Sequence, residues 1–442
     1  MFVHRTLYAT FEYKVNIMGQ LVSSLSISKE ECKILDTLGD KQSAMVETLM
    51  AWSSINSGSH NREGLQSMRK VLLEAGKALP GEVRELPLKT GEYVNAKGQK
   101  EAVHYEPAVQ VSVRPNAPIK LVLTGHYDTV FPKDFHFQAP VTVDEDTVNG
   151  PGTADMKGGI IVMLEALKAL ELSGNALNIG YDVLLSPDEE IGSPGSAQHL
   201  HALGREAHVG LTFEPALADG SMAGARKGSG NFALIIRGKA AHAGREHHLG
   251  RNAIAAMARF IVKLEALNGQ RDGITFNIAK IDGGGAPNIV PDLAIGRFNV
   301  RVKEDGDDSW VLDQLETLTS DIAKQDGISA EMTGGFTRPP KPMSPANETV
   351  FNWVKEAGAC LGQDIKWSPS GGVCEGNNLW AAGCPNVDTL GVRGGDIHSD
   401  REYIKLSSLS ERAKLTTLIL LKLASGEFDA KAAKALAEQG RA

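Results

Sequence analysis

Cysteine is scarce in this chain: 442 residues carry four, Cys32, Cys360, Cys374 and Cys384. None forms a Cys-x-x-Cys pair, and a chain of this length needs no disulfide framework to hold it. That excludes a stapled secreted scaffold and points to a reducing compartment. Long apolar runs are missing too. Nothing approaches the ~18–20 apolar residues of a membrane-spanning helix, so no membrane partner is expected. Met1 to Gly19 scatters Phe, Tyr and Val among His4, Arg5, Glu12 and Lys14. It lacks the continuous apolar stretch and the small-residue cleavage site of a signal peptide. It reads as an N-terminal extension, 1–19, on a cytoplasmic protein, with Met1 and Met18 both candidate starts. A basic excess is absent as well: 46 Lys and Arg stand against 54 Asp and Glu, a net charge of −8. Without a basic patch to neutralise phosphates, nucleic acid is not expected as a partner.

What is present is an ordinary globular composition, 42% hydrophobic and 23% charged, in a chain too long for one ordinary core. Leu65, Met68, Leu72, Ala75 and Leu79 recur at helical spacing within a helical region from about Lys29. Strand-like runs follow at 83–86, 109–113, 119–123, 179–185 and 209–213, alternating from 119 on with helical patterns such as Ile160, Met163, Leu164 and Leu167. That alternation predicts an α/β fold, a mostly parallel sheet with helices on both faces. After Gly224 the order becomes β-α-β-β-α-β, the ferredoxin-like pattern. The expected division is 20–224 with 337–442 as one domain and 225–336 inserted into it. Arg338-Pro339-Pro340-Lys341-Pro342 reads as a stiff return linker. Ser370 to Asn378 reads as a Gly-rich stretch, and the Ala/Lys-rich tail after Phe428 as a frayed helix.

The chemistry gathers at strand ends. In Leu121 to Val130 an apolar run stops at Gly125 and delivers His126 and Asp128 two positions apart, on one side of an extended chain. Asp155 lies in the Gly-rich stretch 150–159, Glu189 and Glu190 follow the strand 179–185, and Glu214 ends the strand 209–213. His398 sits in a late loop. Ligands collect at carboxyl ends of strands in open α/β sheets. Five carboxylates in one cleft repel, and their pKa values rise unless a cation neutralises them. A pair of divalent ions resolves the conflict, and imidazole with carboxylate suits zinc, with manganese or cobalt as substitutes. Each residue alone has an ordinary alternative: a satisfied loop histidine, a turn-forming Asp155, solvated Glu189 and Glu190, a strand-ending Glu214. Their joint placement at strand ends favours the cation site.

Gly125-His126-Tyr127-Asp128-Thr129-Val130, Asp155-Met156-Lys157-Gly158-Gly159, Asp188-Glu189-Glu190-Ile191-Gly192-Ser193, Glu214-Pro215 and Gly238-Lys239-Ala240-Ala241-His242-Ala243-Gly244 occur in this order. The series resembles that of the M20 metallopeptidases, nearest their glutamate carboxypeptidase (carboxypeptidase G2-like) branch. The family also holds acetylornithine deacetylases, succinyl-diaminopimelate desuccinylases and aminoacylases. The resemblance runs from about Leu65 to Leu423.

It implies a catalytic di-zinc domain carrying an inserted dimerisation domain that also acts as a lid. Two Zn2+ per subunit are implied, with Co2+ or Mn2+ as substitutes. Asp155 bridges them, His126 and Glu214 complete one site, and Glu190 and His398 the other. Asp128 orients His126, and Glu189 is the general base. A cis peptide is implied at Asp155-Met156. His242 is implied to reach across a homodimer to the oxyanion, and Asn288 to touch substrate. Arg301 and Arg338 are candidates for gripping a substrate carboxylate, since guanidinium binds one bidentately; an exposed strand face and a surface ion pair are their alternatives. Gly371 and Gly372 keep the family's glycines near the pocket, but Val373, Cys374 and Glu375 depart from its Gly-Gly-Thr pattern and leave the acyl or amino-acid moiety open. The expected activity is hydrolysis of an amide next to a free carboxylate in a small-molecule or peptide substrate. The alternatives are an N-acyl-amino-acid deacylase, a dipeptidase, and a non-catalytic metal-binding dimer.

Overall fold

The computed structural model describes residues 25–440. The expected extension, 1–19, lies outside the described residues. Six strands form the main sheet in the spatial order Glu82–Leu86, Ala108–Val113, Ile179–Ser186, Ile119–His126, Val209–Thr212 and Asn386–Val387. The last four run parallel, and the first two are antiparallel additions at one edge.

Ile119–His126 takes an inner position because it is apolar on both sides. Leu121 and Leu123 join the large core, with Ile160 and Leu418. Val122, between them, faces the other way, onto Leu184, Leu200 and Leu379. The period-2 alternation of the strand therefore feeds two apolar layers. Helices Gly158–Leu170 and Ser408–Ser425 cover the first face; Ala197–Glu206 and Glu375–Ala381 cover the second. Each fully buried Leu or Ile contributes roughly 1.5–3 kcal/mol. One glycine matters for the site. A Cβ at Gly159 would meet the Phe213 carbonyl oxygen at 2.1 Å. Only glycine lets the helix after Asp155 start against the strand end that carries Glu214.

A second sheet contains Thr275–Gly283, Leu293–Val302, Gly228–Arg237 and Ser329–Arg338 in that order, all antiparallel. Helices Ala253–Glu265 and Asp307–Ala323 cover one face with Phe232, Phe260, Phe298 and Leu315. This is the ferredoxin-like order. The hairpin Gly91–Val103 of the first unit lies on the opposite face. There Arg237 and Arg297 donate to the carbonyls of Gly98 and Val94 at 2.7 Å each, beside a cluster of Val94, Ile235 and Ile295.

Two chain crossings join the sheets. Arg226 and Lys341, one on each crossing, exchange backbone hydrogen bonds. Asp388 holds both side chains: Arg226 Nε and Nη2 at 2.8 Å each and Lys341 Nζ at 2.6 Å. Asn377 donates to the Lys227 and Pro339 carbonyls, again one on each crossing.

The structure differs from the local reading in four places. The region from Lys29 breaks into Lys29–Asp40, Gln42–Ser53 and Arg62–Gly76. Part of the stretch expected as a loop at 150–159 winds into a turn, Thr153–Lys157, entered through Gly152 in the left-handed region. The Gly-rich stretch begins at the end of a strand, Trp367–Ser370, paired with Met222–Arg226, and runs into a helix, Glu375–Ala381, whose Cys374 and Asn377 cap it reciprocally. The tail is an ordered helix, Ala430–Gln439: Asp429 caps it, and Ala437 packs on Ala346 and Trp380. Among the described residues no helix is long and apolar enough to cross a membrane.

Candidate metal centre

The carboxyl ends of the parallel strands converge, as their shared direction dictates. His126 ends its strand and is 1% exposed. Its Nε2 lies 3.0 Å from Asp155 Oδ1 and 3.9 Å from Glu214 Oε2. The other oxygen of Asp155, Oδ2, lies 3.2 Å from His398 Nε2, which is also 3.2 Å from Glu190 Oε2. One buried carboxylate thus faces two imidazoles with its two oxygens. Candidate ligand atoms of His126, Asp155 and Glu190, and separately of His126, Glu189 and Glu214, lie within 4.8 Å of one another. His398 has φ +63°, a left-handed conformation uncommon outside glycine and often found where function fixes the backbone. The Asp155–Met156 peptide is cis.

Neighbouring groups set each of these residues. Asp128 is fully buried; its carbonyl lies 3.0 Å and its carboxylate 3.3 Å from His126 Nδ1. Its carboxylate also accepts the amides of Glu189 and Glu190 at 3.2 Å each and the Ser59 hydroxyl at 2.8 Å. A residue chosen for one histidine therefore also shapes the loop with both glutamates. Glu402, buried and not singled out by the sequence reading, accepts the amides of Gly152, Ala154 and Asp155 at 2.9–3.0 Å and so folds the turn that presents Asp155. Its only sequence signal is an acid four residues after His398. Glu375 is also fully buried, one oxygen bonded to the Ser186 hydroxyl and the other without a partner.

The charge balance is lopsided. Burial pushes the Glu190 carboxyl up to about 8, and nearby Asp155 adds to it. Glu214 rises well above the ordinary range through burial, then through Glu189 and Asp155. Burial would also raise Asp155, but the hydrogen bonds of His126 and His398 win and hold it below the usual aspartate range. His398 rises to about 11 because Asp155 and then Glu190 hold its proton. His126 rises too: burial opposes its charge, but the Asp128 and Asp155 contacts outweigh it. The raised pKa values of Glu190, Glu214, His126 and His398 answer a shortage of positive charge, and Asp155 escapes it only because two imidazoles face it. Glu214 Oε1, buried without a hydrogen-bond partner, makes the same point geometrically. Imidazole and carboxylate oxygen are donors that suit zinc, manganese or cobalt, so these residues fit divalent cations.

The remaining candidates lie elsewhere. His242 and Asn288 are on exposed backbone of the second unit; His242 pairs with Ile289, and the Asn288 carbonyl accepts the Ala243 amide at 2.9 Å. Among the described residues no hydrogen bond or ion pair joins His242 to the acidic cluster. Gly371 and Gly372 are exposed, and a Cβ at Gly372 would come within 3.5 Å of Arg226 Nη1. Arg301 is half-buried and its Nη1 has no partner; burial, then the Arg338 charge beside it, lowers its pKa. Arg338 is buried, its Nη2 2.8 Å from Glu189 Oε1.

Comparison with known proteins gives the chain a family. The model of peptidase family M20/M25/M40 matches residues 122–422. Carboxypeptidase G2 of Pseudomonas sp. (strain RS-16) is 26% identical over 434 residues, spanning 96% of this chain and 99% of that protein. Succinyl-diaminopimelate desuccinylase 1 of Alteromonas mediterranea is 28% identical over 332 residues, 69% of this chain and 82% of the relative. A dinuclear metal-binding peptidase of the M20 family from Bacillus subtilis shares the fold with a TM-score of 0.59 at 16% identity, covering 88% of this chain and all of that one.

Proposed function

The chain belongs to peptidase family M20/M25/M40, metal-dependent hydrolases of amide bonds, and from that premise we propose that it releases an amino acid from an amide adjacent to a free carboxylate, in the manner of a glutamate carboxypeptidase. The observation that carries this reading is Asp155, buried between two histidines with one oxygen toward each. His126, Asp155 and Glu214 would hold one cation and Asp155, Glu190 and His398 a second, in keeping with the dinuclear relative. Two zinc ions, or cobalt or manganese in their place, would supply the positive charge that acidifies a water and polarises a carbonyl.

The chain's own residues do the rest. Asp128 fixes the ring of His126 through Nδ1. Glu189, adjacent in sequence to Glu190 and close to His126 and Glu214, takes the proton of the attacking water and passes it to the leaving nitrogen. Arg301, with a buried guanidinium nitrogen that lacks an acceptor, receives the substrate carboxylate. Asn288, Gly371 and Gly372 line the substrate's approach. Residues 225–336 form the dimerisation and lid domain on a catalytic domain of 20–224 and 337–442, and the partner subunit's His242 completes the oxyanion site. The exposed Ile254, Val262 and Ile281 on that unit support a homodimer. The reading places the enzyme in the cytoplasm. The desuccinylase relatives favour a deacylase as the second reading, since it needs no change among the metal-holding residues.

A panel of folate-like glutamate amides, N-acyl amino acids and dipeptides, assayed with the metal-loaded protein, separates these readings. Glu189→Gln is expected to keep its metal and lose turnover by roughly 10²–10⁴-fold; full turnover would remove Glu189 as base. Mixed His242→Ala and Glu189→Ala subunits, each inactive alone, are expected to regain activity as exchanged heterodimers. Heterodimers that stay dead would place His242 outside the reaction.

A further inference from the structure

The Glu189–Ser193 loop is held from two sides. Asp128 takes its amides at Glu189 and Glu190. From the opposite side comes Arg338, the last residue of Ser329–Arg338 in the second sheet. Its Nη2 donates to the Glu189 carbonyl at 2.9 Å and to Ser193 Oγ at 2.7 Å, and lies 2.8 Å from Glu189 Oε1. One nitrogen with two hydrogens is shared among three acceptors on a five-residue loop. Arg338 is 3% exposed, so water competes little for these bonds, and charge-assisted hydrogen bonds are the strong ones.

We propose that Arg338 is the positioning residue for Glu189. It fixes the base's carboxylate and the backbone beneath it from the end of a strand of the second sheet. The inference rests on the reading of Glu189 as the base. It also separates the two arginines. Arg301 keeps a buried nitrogen with no acceptor and is the one left to receive the substrate. Arg338 already spends Nη2 on the loop, although its buried Nε has no acceptor. Clamping one oxygen of Glu189 leaves the other to work on a proton.

The test is a kinetic double-mutant cycle in the metal-loaded, full-length protein, with metal content and thermal melting measured on every variant. Arg338→Met is expected to lower kcat by roughly 10–100-fold, the cost of a displaced catalytic group, with KM changed less than about threefold and metal content unchanged. Arg338→Lys is expected to recover part of kcat, because an ammonium restores one contact; it carries the test if Arg338→Met does not fold. In the Glu189→Gln background Arg338→Met is expected to cost little of the residual turnover, because the group it positions is gone. A raised KM with kcat kept overturns the proposal and makes Arg338 a substrate clamp. An equal fall in kcat in both backgrounds overturns it as well, leaving a structural role. Neither result touches the base reading, which fails only if Glu189→Gln itself keeps its turnover.

Discussion

Two buried charge clusters in this chain are built on opposite plans. At the crossings, one carboxylate, Asp388, meets two cations: Arg226 through two bonds and Lys341 through a third. Burial would raise Asp388, but these cations hold it at about 2. At the strand ends, Asp155, Glu190 and Glu214 contact two imidazoles, while Arg338 sits on Glu189 and Arg226, which acts on Glu214 from a distance, is bonded to Asp388. There the glutamates rise and Glu214 keeps an oxygen without a partner. Where Asp388 ties two crossings together, the chain supplies the cations itself. The strand-end acids are left short of positive charge. Burial alone does not separate a structural from a chemical cluster; charge balance does.

The largest expected effect is metal addition. Zinc added to metal-stripped protein should stabilise the fold by about 4 kcal/mol per site at a thousandfold excess over Kd, and chelation should abolish turnover. Stability indifferent to metal would break the comparison at its root. Next come paired substitutions, read as denaturant midpoints in chelator. Asp388→Ala leaves two buried cations unpaired and should cost about 3–5 kcal/mol. Glu214→Gln removes an acid whose burial and acidic neighbours outweigh His126 and should stabilise the metal-free protein by on the order of 1 kcal/mol, while weakening its gain from zinc. Losses of similar size in both variants would show that the two clusters do the same work.

The difference between the clusters also marks what the sequence could tell. Much of the acidic cluster was legible because His126 ends a strand and Asp128, Glu189, Glu190 and Glu214 follow one closely, and strand ends are read from local apolar runs; Asp155, in a turn, and His398, in a loop, were reached through the order of the motifs. His126 and Asp128 follow directly from an eight-residue strand, and the parallel sheet brings the other strand ends to the same edge. The ferredoxin-like order came from periodicity in the same way. The balanced cluster was not legible: residues 226, 341 and 388 lie far apart, each unremarkable where it stands, and only the crossing of two segments brings them together. Glu402 and the Arg338–Glu189 contact escaped for the same reason. The helix Glu375–Ala381 escaped because its cap is Cys374, a residue that carries little capping signal, within glycines that read as loop.

The smallest expected effect concerns acid. The folded pKa of Asp388, about 2, lies below its ordinary 3.8, so between those values the unfolded chain binds more protons than the folded one. The stabilisation it brings is present above about pH 4 and is lost as pH falls through 2. Asp388→Asn has no such proton to gain. Its deficit against the parent protein should hold from neutral pH to about 4 and then shrink as pH approaches 2, because the parent loses the same charge. Chemical denaturation of both proteins at pH 7, 5, 4, 3 and 2, in chelator so that metal release does not intervene, measures this. A deficit that stays constant to pH 2 would mean that Asp388 holds the crossings by shape and hydrogen bonding, with its charge irrelevant, and the contrast with the strand-end acids would then rest on metal alone.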